Sequence, residues 1–222
     1  MRKTLLIAAA ALAASIISSE AQVYSQNIVG YVNLPFANAN YTPIATPLQA
    51  TGAVNNAEQL LPSAASGDSV LFWNGAGFDN YVFAAPGVWV GPGGPGPAPT
   101  INPGTAFFYF NQSGTIETNT FVGSVTLSNV VAIANGNYSF LAETAPVADT
   151  LDGTNLNLPL SAGDSVLLWN GNGYDNYVFA APGVWVGPSG PGPAPTLPVG
   201  ESFFYFNQSG STEFWTNNVT VQ

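Results

Sequence analysis

Carboxylates and hydroxyls are the only side chains here with which to do chemistry. The chain contains no His and no Cys, and its only two bases, Arg2 and Lys3, sit in the first three of 222 positions. A Ser–His–Asp triad, a Cys nucleophile and a Lys Schiff base each lack an essential member. Paired carboxylates remain, and glycosidases hold theirs about 5–9.5 Å apart. Asp68 and Asp79, with copies at Asp164 and Asp175, are the candidates. If the intervening hairpin turns around Gly75 and Ala76, Asp79 lies opposite Phe72 and Asp68 opposite Phe83. Four residues of strand then separate them, on the order of 13 Å, too far for a dyad within one hairpin. The simpler reading makes Asp68 and Asp164, each after a Gly, residues that turn the chain into a strand. No enzymatic activity is expected.

The same inventory limits ligands. Thiolate and imidazole metal sites are excluded; no cofactor is expected, and Ca2+ is the cation an oxygen-only ligand set suits, with Asp79-Asn80 as its candidate position. Nucleic acid and anionic membrane surfaces would repel a chain without cations. Aromatic rings are the other recognition device, at 13% of residues. Trp89 and Trp185 lie in a Gly-Pro segment, Ala85 to Thr100, repeated from Ala181 to Thr196 with one change, Gly93 to Ser189. These indoles either pin the segment to the core or, with Tyr81, Tyr177, Trp73 and Trp169, form platforms for a sugar, whose apolar ring faces suit aromatics. Alternating Pro and Gly predicts a long loop that joins neither helix nor ladder.

The elements that must position these residues come as a duplication. Gly67–Gly114 matches Gly163–Gly210 at an offset of 96, with 39 of 48 positions identical. Upstream, Tyr41 onward aligns with Tyr138 onward, and Val29-Gly30-Tyr31-Val32-Asn33-Leu34 with Val122-Gly123-Ser124-Val125-Thr126-Leu127. The organisation expected is a leader over 1–21, one module over 22–120 and a second over 121–222. Short runs of Val, Ile, Phe, Tyr and Trp between Gly, Pro and Asn predict strands near 27–34, 41–46, 69–74, 78–84, 105–111 and 115–122. Residues 55–61 are the helical candidate. The fold expected is all-β: two tandem homologous β-sandwich or small-barrel modules, each with at most one short helix.

Val70-Leu71-Phe72-Trp73 and Phe107-Phe108-Tyr109-Phe110 are apolar on both faces, so such strands are covered on both sides or present an aromatic binding face. The stretch 119–125 fits the end of the first module and the start of the second, so one strand shared by both would leave unpaired edges at the chain ends. Unpaired edges recruit strands from neighbouring molecules.

Met1 to Ala21 has the form of a secretory signal: Arg2-Lys3, an apolar run from Leu5 to Ile17 and a Ser19-Glu20-Ala21 cleavage site. The mature chain would then hold 12 − 1 = 11 acids and no base, with no transmembrane segment. The leader with Val29-Gly30-Tyr31-Val32-Asn33, Trp73-Asn74-Gly75-Ala76-Gly77-Phe78 and Gly200-Glu201-Ser202-Phe203-Phe204-Tyr205-Phe206-Asn207 resembles a group of uncharacterised secreted bacterial all-β proteins. That resemblance implies export to the cell surface, periplasm or medium, and carries over no catalytic residue. The expected role is a secreted structural or surface-associated protein, with self-association through its unpaired edges as an extension; the alternative is a pair of carbohydrate-binding modules that recognise a cell-surface glycan.

Overall fold

A computed structural model describes residues 29–46, 48–50, 55–126 and 128–218; the expected leader lies outside them. The first half contains β1 (Val29–Phe36), β2 (Tyr41–Ala45), β3 (Leu48–Ala50), α1 (Ala57–Leu60), β4 (Ser69–Trp73), β5 (Phe78–Ala85), β6 (Val88–Gly91), β7 (Gly94–Gly96), β8 (Ala106–Phe110) and β9 (Glu117–Val125). The second contains β10 (Ser128–Ile133), β11 (Tyr138–Ala142), β12 (Asp149–Thr150), β13 (Ser165–Trp169), β14 (Tyr174–Ala181), β15 (Val184–Gly187), β16 (Gly190–Gly192), β17 (Thr196–Leu197), β18 (Ser202–Phe206) and β19 (Glu213–Asn218). The fold is all-β, with antiparallel sheets of which none closes into a barrel.

Each half carries a six-stranded sheet, β2-β8-β4-β5-β6-β7 and β11-β18-β13-β14-β15-β16. A smaller sheet covers one face of each: β1-β9-β3 in the first half, β10-β19 in the second. Phe36, Leu48 and Phe121 meet Val70, Trp89, Phe107 and Tyr109 in one core; Ile133 and Trp215 meet Val166, Trp185, Phe203 and Tyr205 in the other. Strand periodicity explains the division, since Phe107 and Tyr109 point to one side of β8 and Phe108 and Phe110 to the other. The short helix is α1, whose Asn56 cap accepts a hydrogen bond from the Gln59 amide at 2.9 Å.

Three expectations change. First, the Gly-Pro segment is not an unpaired loop: β6 and β7 form a hairpin with Trp89 opposite Gly96, Val90 opposite Pro95 and Gly91 opposite Gly94, and β15–β16 repeats it. Gly94 takes φ +97 at the turn, and Pro95 is tolerated because β7 is the last strand of its sheet, where a missing donor costs no ladder bond. Second, β9 runs without a break across the expected boundary at 120/121, and its described partners are β1 and β3. Among the described residues it pairs within the first half alone. Third, the counterpart of β1 is β10. Asn111 Nδ2 donates to the Phe36 carbonyl at 3.0 Å and Asn207 Nδ2 to the Ile133 carbonyl at 3.1 Å. Phe36 therefore corresponds to Ile133. The sequence match of 29–34 to 122–127 instead joined β1 to β9, two strands that resemble each other because they pair in the same half-exposed sheet.

Candidate functional site

The carboxylate candidates are structural. Asp68 is fully buried: its Oδ2 accepts from the Ala65 amide and the Tyr109 hydroxyl, both at 2.6 Å, and its Oδ1 from the Gln112 amide at 2.6 Å. Asp164 does the same with Ser161 at 2.7 Å and with Tyr205 and Gln208 at 2.6 Å. Each ties the turn before one strand to the end of another. Burial, then the carboxylate beside the hydroxyl, pushes the Tyr109 and Tyr205 phenols far above their ordinary range, so both stay protonated donors. Asp79 accepts from Asn74 Nδ2 at 2.9 Å and Asp175 from Asn170 Nδ2 at 2.8 Å, while each Asn Oδ1 holds two amides of the hairpin turn. The register places Phe72 opposite Asp79, and the Phe83 amide donates to the Asp68 carbonyl at 2.8 Å. The two acids therefore stand at opposite ends of the β4–β5 hairpin. Among the described residues no group of three or more acidic side chains is placed to hold a metal ion.

The aromatic candidates separate into three kinds. Trp89 and Trp185 are core residues, each 1% exposed and packed edge-on against Phe83 and Phe179 at 5.2 and 5.3 Å. That burial pins both indoles to the core, and Trp185 with Tyr177 and Asp175 lines a cavity of about 270 Å3 against the second Gly-Pro hairpin. Tyr81 and Tyr177 are half-buried and lie flat against backbone: a Cβ on Gly91 would come within 2.5 Å of the Tyr81 ring, and one on Gly187 within 2.7 Å of Tyr177. Those glycines leave room for the tyrosines beneath the Gly-Pro hairpins.

Trp73 and Trp169 do something the sequence did not disclose. The outer faces of the two large sheets pack against each other, and Trp73 Nε1 donates to the Tyr138 carbonyl at 3.2 Å while Trp169 Nε1 donates to the Tyr41 carbonyl at 3.0 Å. Ring contacts are reciprocal too: Trp73 meets Phe204 at 5.1 Å and Trp169 meets Phe108 at 5.6 Å, both edge-on. The halves are joined by an isologous, pseudo-two-fold seam inside one chain. At its centre Phe140 stacks on both Phe108 (5.1 Å, 15°) and Phe204 (4.5 Å, 17°). Pro43 occupies the corresponding place in the first half. The doubly apolar strands are thus covered on both sides, with Phe108 and Phe204 only 4% and 5% exposed.

Two cavities flank this seam, of about 200 and 180 Å3. One is lined by Tyr41, Phe108 and Trp169, the other by Tyr138, Phe204 and Trp73, and both share Phe78 and Tyr174. Burial raises the Tyr174 phenol to about 12. The surroundings are aromatic and aliphatic, without the convergent polar groups that orient a sugar. The available clue to the seam was the repeated Trp at the end of a strand apolar on both faces.

Compared with family models, with curated proteins and with solved structures, the chain matches none.

Proposed function

We propose that this chain is a secreted, non-catalytic structural or cell-surface protein. The observation that carries the reading is the employment of its chemistry-bearing groups in architecture. Asp68 and Asp164 staple turns, Asp79 and Asp175 hold hairpins, and the Trp73 and Trp169 indoles clamp one half to the other. A chain without disulfides or ion pairs available after position 3 gains rigidity instead from buried carboxylate hydrogen bonds and a double aromatic layer.

Self-association extends this reading. β1 and β10 are terminal strands of their sheets among the described residues. Beside them, Tyr31 is 72% and Phe214 66% exposed. The sequence of β10, Ser-Asn-Val-Val-Ala-Ile, carries neither charge nor proline to discourage pairing. Light scattering and electron microscopy of the exported protein test the reading. Ordered assemblies that disappear in Val130→Lys, with the protein recovered from envelope or medium, are expected. A monomer at every concentration, with or without calcium, removes self-association. Glycan-array binding abolished by Trp73→Ala plus Trp169→Ala would replace the structural reading with carbohydrate recognition.

A further inference from the structure

Glu143 is a carboxyl group only 2% exposed, in a chain with no base after Lys3. Its Oε1 accepts from Asn217 Nδ2 at 2.6 Å and from the Ala145 amide at 2.9 Å. Its Oε2 is buried without a hydrogen-bond partner, and so is Asn217 Oδ1, on a residue 1% exposed. A carboxylate and an amide oxygen are both acceptors, so as an anion Glu143 leaves two buried oxygens unsatisfied and a charge unpaired. One proton removes all three penalties. Placed on Oε2, it would neutralise the charge and supply a donor for the orphaned Asn217 Oδ1, which with the bond already made between Nδ2 and Oε1 would complete a reciprocal acid–amide pair.

We infer that Glu143 is a proton-binding site that fastens β19 to the end of β11, so that the seating of β19 in the second half responds to pH. The groups around it agree. Asp149 on β12 is the carboxylate that acts on it, disfavouring a second negative charge. Glu201 precedes Ser202, the strand partner of Ala142, and is itself raised to about 7 by burial. The other acid of β19, Glu213, faces Ser161 instead. Burial raises Glu143 from 4.5 to about 7, against the lowering effect of its hydrogen bonds to Asn217 and Ala145. The first half lacks the device: Thr46 stands where Glu143 does and donates to the Thr105 carbonyl at 2.9 Å, and Phe121, buried in the core, stands in place of Asn217.

With the folded group titrating near 7 and the unfolded one near 4.5, the folded state holds the extra proton between those values. Stability therefore falls as pH rises through that window and levels off above it. Glu143→Gln imitates the protonated acid, with Nε2 donating to Asn217 Oδ1. Unfolding of the intact chain, followed from pH 5 to 8.5, is expected to show the wild type losing on the order of a hundredfold in its folding equilibrium constant relative to Glu143→Gln. The residual slope from Glu201 is common to both. An infrared difference between wild type and variant should contain a protonated-carboxyl C=O band at pH 5 that vanishes by pH 8.5. Hydrogen exchange on the unaltered chain supplies a readout that does not depend on the variant folding: amides of the β10–β19 pair should lose protection as pH rises from 5 to about 7, beyond intrinsic base catalysis, and level off above it, while those of β1–β9 keep theirs. Parallel pH profiles for wild type and variant, or unchanged β10–β19 protection, would overturn the inference. So would stabilisation at pH 8.5 by calcium chloride that requires Glu143, since a cation would then be the carboxylate's partner.

Discussion

The two halves of this molecule share 39 of 48 residues over their matching stretch, yet differ at the points where they meet their small sheets and each other. Asn119 and Trp215 occupy equivalent places on β9 and β19. Asn119 Nδ2 donates to the Leu60 carbonyl at 2.7 Å, and Trp215 Nε1 donates to the Leu156 carbonyl at 2.6 Å. Different side chains deliver an N–H to the same backbone position. In the first half that carbonyl ends a helical turn; in the second it belongs to the turns between β12 and β13, where Leu151, Leu156 and Leu158 fill the core. The larger indole supplies both a donor and apolar volume. Divergence has conserved the hydrogen bond and changed the means of making it, because a buried carbonyl without a donor is costly whatever surrounds it.

The largest expected loss tests what the halves share. Asp68→Ala and Asp164→Ala each strip two amides of their acceptor and a buried phenol of its shorter one, leaving Tyr109 with Glu117 Oε2 at 3.3 Å and Tyr205 with the Pro159 carbonyl at 3.0 Å, and each is expected to cost on the order of 3–5 kcal/mol. Equal losses in denaturant unfolding would show that the staples are equivalent; an Asp164 variant much milder than its twin would break the correspondence.

Next comes the place where they differ. Trp215→Ala removes volume as well as a bond and should cost about 3–5 kcal/mol, whereas Asn119→Ala, which removes mainly the bond, should cost about 1–3 kcal/mol. A reversed order in chemical denaturation would mean that the Trp215 ring is not the anchor of its core.

Smaller effects sharpen the seam. Phe140→Ala should cost about 3 kcal/mol by opening a hole between Phe108 and Phe204. Pro43→Phe should cost about 1–3 kcal/mol by crowding a second ring towards the same axis, both read from thermal unfolding. Near a two-fold axis one ring can serve both sides where two would collide, which accounts for a Phe facing a Pro across an otherwise repeated interface. Least of all, Trp73→Phe and Trp169→Phe keep the aromatic contact and lose one hydrogen bond each, about 1 kcal/mol apiece. Their effects should be similar, and an additive double variant would show that the two clamps act independently.

Much of this architecture was legible from residue order. The β4–β5 register follows from Asn74-Gly75-Ala76-Gly77, because an Asn side chain and glycines specify a local turn and the turn specifies the pairing. That Asp68 and Asp164 turn the chain into a strand was read from their position after a glycine; their bonds to Tyr109 and Tyr205, 41 positions away, were not. Pairing of the Gly-Pro segment was not legible: whether a proline sits at the end of a sheet depends on what lies beyond it. Nor was the membership of β9, since the alternation that marks a half-exposed strand is the same in β1 and β9.

By itself the sequence determined that the protein is β-rich and duplicated, and that past its third residue it has no base, thiol or imidazole, since composition and local periodicity need no partner to be read. Only the tertiary structure decided which tryptophans are core and which are clamp, what covers the second apolar face of β4 and β8, and that Glu143 is sealed from water against Asn217. Those outcomes depend on groups brought together from far along the chain, 65 positions for Trp73 and Tyr138, 74 for Glu143 and Asn217 and 128 for Trp169 and Tyr41. Burial is a property of such encounters, and a side chain's own neighbours in sequence do not encode it.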